Sequence, residues 1–169
     1  RVVETSHADD VWVTCLAAHD GMVYCGGDDV DPTIRVIDTA TWTVVGVMEG
    51  HTEGINQLGV WKGKLISCSS DNTIGVWSTT EGRESQQTLI GHTDTVNTMV
   101  VIGDKWVTSS RDRTLRVWGM HRGAEAWECE RVLQDHNAGL TAVTCTQDGR
   151  RLLSCDWKQQ MLVWEEVAP

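Results

Sequence analysis

Short runs of apolar and β-branched residues recur along this chain, each ended by polar or glycine residues. "MVYCGG" (22–27), "LISCSS" (65–70) and "TLRVWG" (114–119) typify the runs; Lys62-Gly63, Gly103-Asp104 and Asp148-Gly149 typify the turns. A short apolar run between such turns reads as a strand, and a two-residue turn joining two of them reads as a hairpin. No segment of ten or more residues keeps the helical period, so the pattern predicts strand, tight hairpin, strand, turn, strand, and an all-β chain.

The pattern also repeats. "SHADDVWVTCLAAHDGMVYCGG", "GHTEGINQLGVWKGKLISCSS", "GHTDTVNTMVVIGDKWVTSS" and "DHNAGLTAVTCTQDGRRLLSC" align on His7, His51, His92 and His136, which lie 44, 41 and 44 residues apart. Each copy closes on a short strand: "TIRVID", "TIGVWS", "TLRVWG", "MLVWEE". In two copies the polar groups keep identical offsets. His51 to Asp71 and His92 to Asp112 are both 20 residues, and each aspartate stands 6 residues before Trp77 or Trp118. Histidine, a hydroxyl and an aspartate are also the groups of a nucleophilic triad. A catalytic constellation is needed once, whereas this one recurs, and no GxSxG elbow offers a strained nucleophile.

With a Gly-His opening, an aspartate between the second and third strands, a terminal tryptophan and a period near 40 to 45 residues, the chain resembles the WD-repeat β-propeller family along its whole length. The resemblance implies an all-β fold of four-stranded antiparallel blades with a circularly offset strand order. It implies further that each loop histidine joins the turn aspartate to a strand hydroxyl, which in turn meets the tryptophan indole. These would be His51, Ser67, Asp71 and Trp77 in the second unit and His92, Thr108, Asp112 and Trp118 in the third, with Ser69 and Ser110 allowed by strand parity as alternative hydroxyls. Such a closed set pairs every buried polar group and fixes one blade geometry. The chain departs from the family pattern in its terminal dipeptides, Ile37-Asp38, Trp77-Ser78, Trp118-Gly119 and Trp164-Glu165. Lys158 stands at the aspartate position of the fourth copy, so the network is expected to fail there. The first copy carries two extra residues around "GGDDVDPT".

The units run over residues 7–48, 49–90, 91–134 and 135–169, with residues 1–6 as an orphan outer strand. Sixteen strands result, the orphan completing the last unit's sheet and removing an edge. Four blades are few for a ring of this repeat length. The readings left open are a segment cut from a longer propeller, which is favoured, half of an eight-bladed ring made by two chains exchanging the orphan strand, and a compact four-bladed ring.

Composition changes this picture in three ways. Six cysteines (15, 25, 68, 129, 145, 155) never approach a CxxC spacing and most lie in apolar stretches, which predicts free buried thiols and an intracellular setting, cytoplasmic or nuclear. No run of 18 apolar residues exists, so no membrane association is expected. A net charge of −10 argues against nucleic acid as a partner. Loop histidines on separate blades cannot converge on one ion, so neither a metal nor another cofactor is expected. His19 and His121 are isolated. Trp42, Trp106 and Trp127 are expected to pack between sheets, whereas Trp157 sits beside Lys158 in a turn.

The charge is uneven. Residues 7–50 hold eight acids against Arg35, a balance of −7, and residues 105–118 hold Lys105, Arg111, Arg113 and Arg116 against Asp112, a balance of +3. The resemblance implies a non-enzymatic scaffold that docks peptides or partner domains on its face. Arg111 and Arg113, projecting beside Thr93 and Asp94, are candidates for an acidic or phosphorylated protein segment, with Trp157 and Lys158 as further candidates. The alternatives are a propeller hydrolase using its His, Ser and Asp groups, and purely architectural blades inside a large assembly such as a ubiquitin ligase, ciliary or RNA-processing complex.

Overall fold

The computed structural model of the chain describes residues 12–80, 85–120 and 126–165. The orphan strand expected at residues 1–6, His7 and His121 lie outside the described residues. All described secondary structure is strand. The first sheet holds β1 (Val13–His19), β2 (Met22–Gly27), β3 (Ile34–Asp38) and β4 (Thr43–Met48), and the second holds β5 (Ile55–Trp61), β6 (Lys64–Ser69), β7 (Ile74–Ser78) and β8 (Ser85–Leu89). The third holds β9 (Val96–Ile102), β10 (Lys105–Ser110), β11 (Leu115–Gly119) and β12 (Glu128–Leu133); the last holds β13 (Leu140–Cys145), β14 (Arg151–Asp156) and β15 (Met161–Glu165). Each sheet is an antiparallel meander in chain order. These are propeller blades, the fourth of them three-stranded among the described residues.

Hairpin chemistry sets the register. Asp20-Gly21 (φ 45° and 72°) and Lys62-Gly63 (46° and 71°) both take left-handed backbone, the two-residue turn whose twist matches that of antiparallel strands. In the corresponding turn of the third blade, Gly103-Asp104, the glycine alone is left-handed (φ 61°). The fourth replaces the two-residue turn with Thr146–Arg150, closed by Thr146 N–H to the Arg151 carbonyl.

Successive side chains on a strand point to opposite faces, so each blade buries one face against the blade before it and one against the blade after. Leu65 and Trp77 of the second blade join Tyr24, Ile34, Val36 and Met48 of the first. Ile66, Cys68, Ile74 and Val76 face Val96, Met99, Trp106, Trp118 and Trp127 of the third. Val107, Leu115 and Val117 of the third meet Leu140, Val143 and Leu152 of the fourth. The first strands β1, β5, β9 and β13 pack in succession, and side chains clasp one to the next. Asn56 Nδ2 donates to the Val96 carbonyl (2.9 Å) and Asn97 Nδ2 to that of Leu140 (2.5 Å), while Gln57 Oε1 accepts from Met99 N–H (2.6 Å).

The outward face of the fourth blade has no such neighbour among the described residues. Met161 and Val163 are 65% and 54% exposed, whereas Ile74 and Val76, which hold their places in the second blade, are 0% and 3% exposed. Of the three tryptophans expected to pack, Trp106 and Trp127 are buried and stacked at 3.7 Å. Trp42 is a correction: it sits ahead of β4 with φ 55° and half exposed. Its counterpart Trp127 is covered by Trp61 of the preceding blade, and no described blade precedes Trp42. The described cysteines are all free thiols; Cys25 and Cys68 are buried and the other four partly so. Burial pushes the Cys68 thiol well above its ordinary value. Among the described residues no helix is long and apolar enough to cross a membrane.

Candidate functional site

The polar circuit of the second blade is assembled from four places. His51 comes from the loop entering β5, Ser67 from mid-β6, Asp71 from the turn between β6 and β7, and Trp77 from β7. Trp77 Nε1 donates to Ser67 Oγ (2.8 Å), Ser67 Oγ lies 2.6 Å from His51 Nε2, and His51 Nδ1 lies 2.7 Å from Asp71 Oδ2. An indole N–H can only donate, so Ser67 Oγ accepts from Trp77 and passes its own proton toward Nε2, leaving Nδ1–H to donate to the carboxylate. Asp71 also accepts from Thr52 N–H, Thr73 N–H and Thr73 Oγ1. The third blade repeats this: Trp118 to Thr108 2.8 Å, Thr108 to His92 2.8 Å, His92 to Asp112 2.7 Å. Ser69 and Ser110, the alternatives by parity, do other work. They donate to the carbonyls of Gly54 and Asp94 and accept from Asp71 and Asp112 N–H, bracing the turn on the histidine loop.

Electrostatics follow from this pairing. Burial works to raise the carboxyls of Asp71 and Asp112, but hydrogen bonds from histidine, threonine and the histidine loop outweigh it and hold both well below the usual carboxylate range. Burial pushes His92 below its ordinary value, against the pull of Asp112, which agrees with the neutral ring that the hydrogen bonds require.

The fourth blade corrects the expectation that its network fails at Lys158. Trp164 Nε1 donates to Ser154 Oγ (2.7 Å), Ser154 Oγ meets His136 Nε2 (2.7 Å), and His136 Nδ1 meets Asp156 Oδ2 (2.9 Å). Counting back from the tryptophan reaches Lys158, but counting 20 forward from His136 reaches Asp156. Asp156 stands at the end of β14, where Ser69 and Ser110 stand in their blades. The turn itself is unchanged, since Asp156 N–H bonds the Gln160 carbonyl as Ser69 N–H bonds that of Thr73. A carboxylate two residues earlier serves the histidine as the turn aspartate does, and accepts from Lys158 N–H as Ser69 accepts from Asp71 N–H, without the serine's donation to the histidine-loop carbonyl. Burial again works to raise the Asp156 carboxyl, and bonds from His136, Gln160 N–H and Lys158 N–H carry it below its ordinary value. The first blade has Cys25 and Ile37 at the hydroxyl and tryptophan places, so there is no indole N–H there to satisfy.

The triad-like order Asp, His, Ser thus occurs three times, each time sealed. Ser67, Thr108 and Ser154 are 0%, 1% and 2% exposed, and each hydroxyl oxygen already accepts from an indole. Among the described residues no group of three His, Cys, Asp or Glu could hold a metal; His51, His92 and His136 each turn to their own blade's carboxylate.

On the surface, the structure brings together candidates that the sequence left apart. Arg111 and Trp157 occupy the same turn position in adjacent blades, and the Arg111 guanidinium lies over the Trp157 ring at 4.9 Å. Gly139 makes this possible, because a Cβ there would stand 3.0 Å from the Arg111 carbonyl oxygen. Arg113 is exposed and left-handed (φ 71°), in the place where the other turns carry Asn72 (71°) and Gln159 (65°). Lys158 is exposed beside Trp157. Arg113 also lines a polar cleft with Asp112, Thr114, Gln134 and His136. Thr93 and Asp94 are exposed in the loop above Asp112, and Thr93 N–H donates to the Asp112 carboxylate.

Comparison with known proteins places this geometry. The family described as WD domain, G-beta repeat matches residues 42–78, 83–119 and 127–165, more than half of the chain. The chain belongs to the WD-repeat family. Each matched stretch starts at or ahead of an outer strand and ends on the third strand of the next sheet, so the sequence repeat straddles two blades. An uncharacterised WD repeat-containing protein of Schizosaccharomyces pombe is 40% identical over 68 residues, 40% of this chain and 18% of that protein. The WD repeat-containing protein 89 homolog of Dictyostelium discoideum is 29% identical over 86 residues, 50% of this chain and 23% of that protein. The match thus spans about a fifth of each curated relative's length. Among solved structures, the computationally designed Ika8 protein matches with TM-score 0.77 and 23% identity, over 90% of this chain and 45% of its own. The designed Ika4 protein matches with TM-score 0.75 and 22% identity, over 95% of each chain.

Proposed function

We propose that this chain is a non-enzymatic interaction scaffold that docks an acidic or phosphorylated segment of another protein where its third and fourth blades meet. The observation that carries this reading is the Arg111 guanidinium held over the exposed Trp157 ring. Arg111, Arg113 and Lys158 form no ion pair among the described residues, so three cations gather at one edge. The displaced carboxylate contributes: with Asp156 serving His136 from the strand end, the turn position that holds Asp71 and Asp112 in the other blades carries Lys158 beside Trp157. Guanidinium groups suit the two-oxygen fork of a carboxylate or phosphate. The reading includes an intracellular setting, no nucleic-acid or membrane partner and no bound cofactor, and treats the chain as a segment of a longer propeller. Strand exchange through residues 1–6 is the competing assembly.

The test is a pull-down from cell lysate with the parent chain and the Arg111→Glu, Arg113→Glu double variant, each checked by circular dichroism. Loss of partners with the fold intact is the expected result; an unchanged partner set removes these arginines from the site. A serine-directed fluorophosphonate is expected to leave the folded protein unlabelled, and stoichiometric labelling would revive the hydrolase alternative. The architectural reading draws its support from the exposed Met161 and Val163, which suit burial under a neighbouring subunit.

A further inference from the structure

The junction between the second and third blades holds a cavity of about 250 Å³ walled by Trp61, Ile66, Met99, Val101 and Trp106. The next junction shows how it arises. Gln57 accepts from Met99 N–H (2.6 Å) as Thr98 accepts from Val143 N–H (3.0 Å), so the two junctions correspond residue by residue. Two positions further along the strand the second blade has Gly59 and the third has Val100, both turned to the following blade. The Met99 methyl takes the place a Gly59 Cβ would fill, whereas Val100 packs on the cluster that holds Val143 and Leu152. A glycine leaves room that a valine closes. Trp61 does not swing in to fill it, because the rings of Trp106 and Trp127 stand edge-on to it at 5.7 and 5.3 Å and the Lys62 ammonium lies 4.2 Å over its own ring.

The same exchanges leave donors unmet. At the third junction Thr98 uses its one hydroxyl on Val143 N–H and on Ser109. Gln57 instead gives its oxygen to Met99 N–H, which fixes the amide and leaves Nε2 without a hydrogen bond among the described residues. Trp106 corresponds to Leu152, each set against the tryptophan of its third strand. Leucine has no polar atom to satisfy, but the Trp106 indole N–H is buried and meets no acceptor among the described residues.

We propose that this cavity binds a small apolar molecule carrying one hydrogen-bond acceptor, a single-ring compound with a carbonyl or ether oxygen. The volume lies between the roughly 150 Å³ that admits benzene and the roughly 300 Å³ at which drug-sized sites begin, which suits one ring with a short substituent. The walls are otherwise apolar, and their unpaired polar groups are donors. The one side-chain oxygen on them, that of Gln57, is already taken. A peptide strand would bring N–H groups with nothing to receive them, so the occupant is a free molecule. Its oxygen supplies the acceptor that these walls lack, and a buried donor left unpaired is costly.

Calorimetric titration of the full 169-residue chain with acetophenone, and with ethylbenzene as the same skeleton without the oxygen, tests this. Both should bind at one site, acetophenone roughly two- to tenfold tighter, as one net hydrogen bond provides. Gly59→Val borrows the residue of the next junction and displaces only the flexible end of Met99, so it should lose both probes with its circular dichroism unchanged. Gln57→Thr keeps an acceptor for Met99 N–H; it should bind ethylbenzene as before and show a smaller preference for acetophenone. An NMR titration of the parent chain needs no variant: the Met99 methyl and the Trp106 indole N–H should both shift with acetophenone. A parent chain that binds neither probe, binding that survives Gly59→Val, a preference untouched by Gln57→Thr, or shifts that spare Met99 and Trp106 would each overturn the proposal.

Discussion

The third and fourth blades close the same circuit with the carboxylate in different places. In the third, Asp112 reaches His92 from the turn while Ser110 braces that turn; in the fourth, Asp156 at the strand end reaches His136 and accepts from the turn's Lys158 N–H. What the fold holds constant is closure. An indole N–H, a hydroxyl and an imidazole are buried in series, and each must be paired because an unmet buried polar group is costly. Which residue brings the last acceptor is free to drift, as long as some oxygen arrives at Nδ1. The drift leaves the third blade's turn with its own aspartate and the fourth blade's with Lys158 in that place, the turn held instead by Asp156.

The comparison breaks most visibly by deletion. Asp112→Ala leaves His92 and its hydroxyl partner buried without an acceptor and should cost about 1 to 3 kcal/mol in a urea titration. Lys158→Ala, at the equivalent turn position, should stay within about 0.5 kcal/mol, as exposed surface changes do. Comparable losses for the two would refute the assignment of roles.

Acid probes all three closed blades together. Asp71, Asp112 and Asp156 have folded values below their ordinary ones, so their contribution is complete above the unfolded carboxylate range and is lost as pH falls through it and beyond. His92 is also depressed, so the unfolded chain takes up that proton first and stability declines from about pH 6.5 downward. The thermal midpoint should fall gently from neutral pH toward pH 5 and steeply below about pH 4. Asp112→Asn should flatten the lower limb; an unaltered limb would show that Asp112 is not held as a carboxylate.

Much of this was legible in the sequence. The order of the described strands, the four repeating units and the His51 and His92 circuits follow from the period and fixed offsets, because repetition exposes what one copy would hide. Asp156 was within reach too, since 20 residues separate it from His136 as in the other copies, but measuring from Trp164 hid it. The Arg111 and Trp157 contact was not legible. It joins two turns more than 40 residues apart, and only the stagger of neighbouring blades brings them together. Trp42 misled because its covering surface belongs to a preceding blade that its own repeat does not contain.

A smaller effect sharpens the contrast between turns. Arg113 holds a left-handed backbone that asparagine tolerates better, and Asn72 occupies the same place one blade earlier. Arg113→Asn should therefore raise stability, by less than the roughly 1 kcal/mol that a strained backbone position costs. The same variant should weaken partner capture. A stability loss would mean that the Arg113 side chain is itself a structural contact.

The central claim is that Asp156 supplies by another route what Asp112 supplies from the turn, and a transplant tests it directly. The turns match in length, so Asp156→Ser with Lys158→Asp rebuilds the Ser-x-Asp arrangement of the second and third blades. In urea titrations Asp156→Ser alone should lower the midpoint clearly, and adding Lys158→Asp should restore most of the loss. A double variant no more stable than Asp156→Ser would contradict the account.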